Sequence, residues 1–259
     1  MPRYETFALA LHALQEVQAE LGAEPLPARV VFPHLAEVLA QMGPIPPNAA
    51  LFGVAGDGLP VLLRMDQPAT GAVLVTADRG SGKTLFLQSL ARSTARMNSP
   101  QSVGLTALTD FPSEWSALQA ETGLNVFPAY AASAAKLLAH LAEWVERGGD
   151  GRALILLIDG LDSALHLDDD ARANLTYLLE YGPRARLWPV AAINSARAAK
   201  LPDWLAFFRT RIFGRIADPA LNEELTPVPG APLNQLFPCY EFCLRQRSQW
   251  LRFWLSANA

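Results

Sequence analysis

The sequence predicts an α/β fold with a mostly parallel central sheet flanked by helices, a small helical appendage at the N-terminus and antiparallel strands at the C-terminus. Three observations carry this reading. A Gly-rich loop at 77–84 stands between an apolar strand and an amphipathic helix. A second unbroken apolar run, 153–158, ends in the carboxylate of Asp159. Around them strand-sized and helix-sized segments alternate, the order that builds a parallel sheet. With 259 residues, 51% of them hydrophobic and 18% charged, the chain can bury one substantial domain and carry a small appendage.

From the N-terminus, Tyr4, Phe7, Leu11, Leu14, Val17 and Leu21 recur at helical spacing, with Glu16 and Glu20 on the polar side. A second short helix is expected over 33–42. Pro44, Pro46 and Pro47 break the chain, so 1–47 reads as a helical appendage able to dock a protein partner and 48–259 as the main domain. Leu51-Phe-Gly-Val-Ala55 and Leu59-Pro-Val-Leu-Leu63 flank Gly56-Asp-Gly58 and read as a hairpin. The strand Ala72-Val-Leu-Val-Thr76 leads into the loop. A helix at 83–97, strand 103–108, helix 113–121, strand 124–127, helix 131–147 and the acidic strand 153–159 are then expected. Helix 170–181, strands 187–193 and 211–216, and an antiparallel pair at 241–245 and 250–254 complete the prediction.

Ala77-Asp-Arg-Gly-Ser-Gly-Lys-Thr84 has the pattern of a phosphate-binding loop. Gly80 and Gly82 let the backbone turn tightly and aim its N–H groups at a polyphosphate, which also meets the positive end of the next helix. Ala77, Asp78, Arg79, Gly80, Ser81, Gly82, Lys83, Thr84 and Leu85 are the expected ATP-binding residues. Lys83 would reach the β- and γ-phosphates and Thr84 would ligate Mg²⁺. Ala77 stands where Gly is usual, at a position that only starts the turn. A Mg²⁺ ion on a triphosphate needs a carboxylate near the loop, and Asp159, closing a strand apolar on both faces, supplies it. Many hydrolysing relatives of such loops place Glu next, to polarise the attacking water; here the residue is Gly160. Asp162 is the nearest carboxylate beyond it, and its residue type suits either action on water or capping of the following turn.

No apolar run reaches membrane-spanning length, and the opening Met1-Pro-Arg-Tyr-Glu lacks a basic region followed by an apolar core, so a cytoplasmic location without membrane contact is expected. Cys239 and Cys243 read as buried thiols on a strand. The histidines His12, His34, His140 and His166 lie at no ligand spacing, so no metal besides Mg²⁺ is expected. Residues 1–183 hold 11 Lys/Arg against 20 Asp/Glu, whereas 184–259 hold 10 against 5. Arg184, Arg186, Arg197, Lys200, Arg209, Arg211 and Arg215 therefore suggest a DNA surface or a subunit interface, the plainer reading being a solvated basic face. Trp144, Trp188, Trp204, Trp250 and Trp254 are expected mostly in the core rather than stacked on bases.

Over about 51–254 the chain resembles the FtsK/HerA-type P-loop ATPases, RecA-like domains that pump DNA through a hexameric ring. The resemblance rests on the hairpin with Gly56-Asp-Gly58 and Pro60-Val, and on Pro68 leading into Gly71-Ala-Val-Leu-Val and the loop. It also rests on Phe208-Arg-Thr-Arg-Ile-Phe-Gly-Arg-Ile216 before Asp218-Pro219 and on the final Trp250-Leu-Arg-Phe strand. It implies ATP hydrolysis with Mg²⁺, non-sequence-specific DNA as partner and assembly into an oligomeric ring, for which Lys83, Asp159 and Asp162, read from the loop and the acidic strand, are the candidate catalytic residues. It further implies that Asn194 senses the γ-phosphate and that an arginine of 209–215, Arg211 being favoured, acts as a finger on the neighbouring subunit. Gly160 departs from the acid of family motors. Two other readings stand beside it. Leu156-Leu-Ile-Asp-Gly-Leu-Asp162 also looks like the acidic strand of NACHT-type signalling switches, and Gly160 suits an ATP-binding scaffold subunit that does not cleave its nucleotide.

Overall fold

The computed structural model describes residues 34–226, 228–246 and 249–256; the helix expected at 4–21 lies outside them. The strands are β1 (Ala49–Ala55), β2 (Pro60–Arg64), β3 (Ala72–Ala77), β4 (Val103–Thr109), β5 (Asn125–Pro128), β6 (Ala153–Asp159), β7 (Leu187–Asn194), β8 (Phe208–Phe213), β9 (Glu241–Gln246) and β10 (Gln249–Trp254). They form one ten-stranded sheet in the order β2-β1-β10-β9-β8-β3-β7-β6-β4-β5. From β8 to β5 all neighbours run parallel. From β8 through β9, β10 and β1 to β2 they run antiparallel. The fold is thus the RecA-like α/β arrangement expected.

Alternation along the central strands builds a core on each face of the sheet. In β3, Ala72 and Leu74 join one cluster, with Leu138 and Leu141 of helix α4 (Ala132–Glu146) and Leu175 and Leu178 of α6 (Asp169–Tyr181). Val73 and Val75 join the other, with Phe86, Leu87 and Leu90 of α2 (Lys83–Met97) and Leu118 of α3 (Ser116–Thr122). Every residue of β3 is buried, which is why its sequence is an unbroken apolar run. Truncating Leu74 to Ala would leave a cavity between packed layers, at a cost of about 2–5 kcal/mol.

The short helix α1 (Leu35–Gln41) matches the expectation over 33–42 and packs Leu35 and Val38 on Leu51 and Val54 of β1. The hairpin β1–β2 closes through Ala55 N to Leu59 O at 2.8 Å, with Gly58 left-handed at φ +83°. Helix α6 starts at an Asp168 cap that accepts from Ala171 N at 2.8 Å, with Asp169 and Asp170 in its first turn, where carboxylates favour the helix dipole.

One strand lies elsewhere than predicted. The segment expected at 211–216 pairs as β8 over Phe208–Phe213. Its opening Arg209-Thr-Arg211 is polar because that part of the strand is incompletely covered. Past its end the chain stays beside β3, with Gly214 N donating to Thr76 O at 2.9 Å and a Cβ on Gly214 coming within 2.9 Å of Ala77 Cβ.

Candidate nucleotide site

The carboxyl ends of the parallel strands converge on the loop at 77–84, the position where open α/β sheets take their ligands. Gly80 and Gly82 are left-handed, at φ +77° and +86°, conformations that cost a side chain-bearing residue energy. Ala77 is not one of these special positions. It is the last, fully buried residue of β3, so the departure from Gly there costs the loop nothing. Lys83 opens α2, and its Nζ donates to the carbonyls of Ala77 at 3.1 Å and Asp78 at 2.8 Å. The ammonium therefore lies across the loop. Burial pulls the Lys83 pKa below the usual lysine value, opposed by the charges of Asp159, Asp78 and Asp162, so added negative charge from a phosphate suits this position.

One residue along, Thr84 Oγ1 donates to Asp159 Oδ1 at 3.0 Å, with Oδ2 at 3.1 Å. This contact joins residues 75 apart in sequence. Asp159 also accepts from Trp115 Nε1 at 3.3 Å and Thr109 Oγ1 at 3.4 Å. Burial raises its pKa above the ordinary carboxylate value, against the pull of the hydrogen bonds from Thr84, Trp115 and Thr109. A carboxylate held uncomfortably in a partly dry site gains from a cation. The hydroxyl of Thr84 beside the carboxylate of Asp159 is the pair that a Mg²⁺ ion on a bound triphosphate uses, so the donor set fits the ion.

Beyond Asp159, Gly160 adopts φ +102°. L side chains rarely adopt this conformation, so an acid at this position would be strained. Asp162 sits in the first turn of α5 (Leu161–Ala164) with its Oδ2 3.8 Å from Arg197 Nε. Ser163 in the same turn donates its hydroxyl to Asp110 Oδ2, a residue the sequence reading passed over.

Asp78 anchors the loop to its surroundings. Its Oδ1 accepts from Ser195 Oγ, its Oδ2 from Ala217 N at 2.8 Å, and its own N–H donates to Arg215 O at 2.9 Å. Asn194 ends β7 directly opposite Ala77, where it caps helix α7 (Ser195–Ala198) by accepting from Ala196 N at 3.1 Å.

On the outer side of the loop lies a turn that sequence reading missed. Cys239, expected on a strand, instead precedes β9 at φ +69°. Its Sγ donates to Gly80 O at 3.0 Å, and its Cα would stand 2.4 Å from a Cβ on Gly82. The turn is held by Glu241, a buried carboxylate that accepts from Phe237 N at 2.9 Å and Arg252 Nε at 2.7 Å. Of the two thiols expected to be buried, only Cys243 is; Cys239 is half-exposed.

The basic residues of 184–215 do not share one face. Arg184 and Arg186 precede β7 and Arg209 opens β8, at the amino ends of the strands; Arg197, Lys200 and Arg215 follow those strands at the loop end. Arg211, the favoured finger, is not brought to the loop of its own chain. It stands opposite Leu74 in mid-strand and donates to Leu205 O at 2.8 Å.

No protein-family model and no curated protein matches the sequence, but solved structures match this architecture. Thermomonospora curvata EccC (ATPases 2 and 3), solved in complex with a signal sequence peptide, superposes with a TM-score of 0.66 at 16% identity, over 92% of this chain and 45% of that one. The pCW3 conjugation coupling protein TcpA, solved with ATPγS, gives 0.65 at 14% identity over 83% of this chain and 68% of that one. The fold is that of an FtsK/HerA-type P-loop ATPase. B204, the DNA-packaging ATPase of Sulfolobus turreted icosahedral virus, gives 0.54 at 10% identity over 72% of this chain and 98% of that one. The chain spans 45% and 29% of the two EccC chains it matches, and at these identities the likeness is one of fold. No helix among the described residues is long and apolar enough to cross a membrane.

Proposed function

We propose that this chain binds Mg²⁺-ATP at 77–84 and uses its hydrolysis as a motor acting on DNA within an oligomeric ring. The observation that carries the proposal is the junction of Lys83, Thr84 and Asp159, with the Thr84 hydroxyl on the Asp159 carboxylate. Lys83, Thr84 and the loop N–H groups bind and orient the phosphates, and Mg²⁺ when bound supplies charge neutralisation between them. Asn194 contacts the γ-phosphate, and Arg211 or a neighbouring arginine serves an adjacent subunit. Asp162, whose charge bears on Lys83, acts on charge in the site. The conjugation and packaging ATPases among the structural neighbours support the motor reading. DNA would be held through its phosphates, without sequence preference.

Labelled ATP titrated into wild type and Lys83→Ala tests the site: the variant should lose binding while keeping its fold. Equal affinity in the two proteins removes the proposal. Retention on duplex DNA across a salt series, with ATP and Mg²⁺ present, tests the partner; a protein that is not retained even at low salt is no DNA motor. The absence of a carboxylate at Gly160 favours a second reading, an ATP-binding scaffold subunit, which predicts tight binding without phosphate release.

A further inference from the structure

Hydrolysis of a bound triphosphate needs a group to take a proton from water as it attacks the γ-phosphorus. Among the described residues, Asp78, Asp110, Glu114, Asp159 and Asp162 are the carboxylates on or just beyond the carboxyl ends of β3, β4 and β6. Their partners sort them. Asp78 holds Ser195 and Ala217 N with its two oxygens. Asp159 is engaged by Thr84, Thr109 and Trp115. Glu114 is exposed on the turn before Trp115, and Asp162 lies beside the Arg197 guanidinium.

Asp110 differs in position. β4 and β6 run parallel in register, with Thr109 the partner of Asp159. Asp110 is therefore level with Gly160, one step past the end of both strands. The strand that carries Asp159 cannot present a side chain at that level without strain, because Gly160 is at φ +102°; the adjoining strand presents a carboxylate there instead. The Ser163 hydroxyl, on the turn that follows Gly160, donates to Asp110 Oδ2 and ties it toward β6. Asp110 is half-buried, so water reaches it.

We propose that Asp110 is the residue that accepts the proton of the attacking water, at the level where Gly160 leaves β6 without an acid, and that Ser163 is its positioning residue. The assignment rests on the ATPase reading above. In the step, the water oxygen bonds to the γ-phosphorus while one water proton passes to Asp110. The bond from the γ-phosphorus to the bridging oxygen breaks and its electron pair leaves with ADP. Inorganic phosphate forms, and Asp110 returns its proton to solvent.

The test uses the full chain with Mg²⁺, measuring phosphate release from ATP and affinity for ATPγS. Asp110→Asn should lower kcat by about 10²- to 10⁴-fold while ATPγS affinity stays within about threefold, under ~0.7 kcal/mol. Asp110→Ala should regain turnover when formate is added, and Ser163→Ala should lose less than Asp110→Asn. Asp110→Asn hydrolysing at the wild-type rate overturns the assignment alone. So does Asp162→Asn falling to background while Asp110→Asn does not. If Asp110→Asn loses ATPγS affinity, formate decides, and absence of rescue in Asp110→Ala counts against the assignment. Wild type that binds ATPγS but releases no phosphate overturns the hydrolytic reading and this assignment together.

Discussion

Replacing Gly82 with Ala should damage the protein more than the same change at Gly80, although both glycines are left-handed, at φ +86° and +77°. The shared cost is conformational, about 1–2 kcal/mol for placing an L-residue there. The difference lies in the surroundings. A Cβ at Gly80 meets nothing within 4 Å, whereas one at Gly82 falls 2.4 Å from Cys239 Cα, 2.6 Å from its carbonyl oxygen and 2.8 Å from its carbonyl carbon. These are main-chain atoms that cannot swing aside, and forcing such contacts costs about 1–3 kcal/mol more. Gly82→Ala is thus expected to lose about 2–5 kcal/mol, against about 1–2 for Gly80→Ala. At roughly 2–4 °C per kcal/mol, nucleotide-free thermal unfolding separates the two. Adding Cys239→Ala to Gly82→Ala should not rescue it, because the obstruction is backbone. Equal losses for the two glycine variants, or full rescue by Cys239→Ala, would refute the packing of the turn on the loop.

Arg252→Met should cost about 1–3 kcal/mol in denaturant unfolding, because it strips the half-exposed guanidinium from the buried Glu241 carboxylate; a neutral effect would show that Phe237 N alone suffices. Trp115→Phe keeps the buried ring but removes the N–H from Asp159, so Mg²⁺-ATP affinity should fall about tenfold, roughly one hydrogen bond to a charged group, as titration would show. Burial lifts the Cys243 thiol from 9.0 to about 12. A folded pKa above the unfolded one means stability that is complete below about pH 9 and is lost as pH rises toward 12. Cys243→Ala should flatten that alkaline loss, and in native protein at neutral pH iodoacetamide should label Cys239 while sparing Cys243.

The parallel half of the fold was legible because its strands are covered on both faces, so β3 and β6 write their burial directly as apolar runs. The meeting of the loop, Lys83, Thr84 and Asp159 was legible because these residues are neighbours along the chain or end such a run. What escaped reading depends on contacts between distant segments. Nothing local marks Trp115 as the indole that meets Asp159, or Asp110 as level with Gly160; both follow from the register of β4 on β6. β8 was displaced because its polar start, Arg209-Thr-Arg211, hides half of the strand. The basic stretch read as one surface because sequence shows proximity along the chain, whereas β7 and β8 carry its members to opposite ends of the sheet. Cys239 misled for a related reason: a positive φ in a residue other than Gly leaves no trace in composition.

The turn at Cys239 also ties the loop to a distant part of the chain. The phosphate loop is complete in sequence by residue 84, yet its outer wall is supplied by Cys239. That turn is closed by Arg252 and by Leu255 N on Tyr240 O at 2.8 Å. The loop, the acidic strand and the helices between them do not supply this wall themselves. The wall of the loop thus depends on a strand about 170 residues further along the chain, so a change in β10 that frees Glu241 reaches the loop through the Cys239 turn.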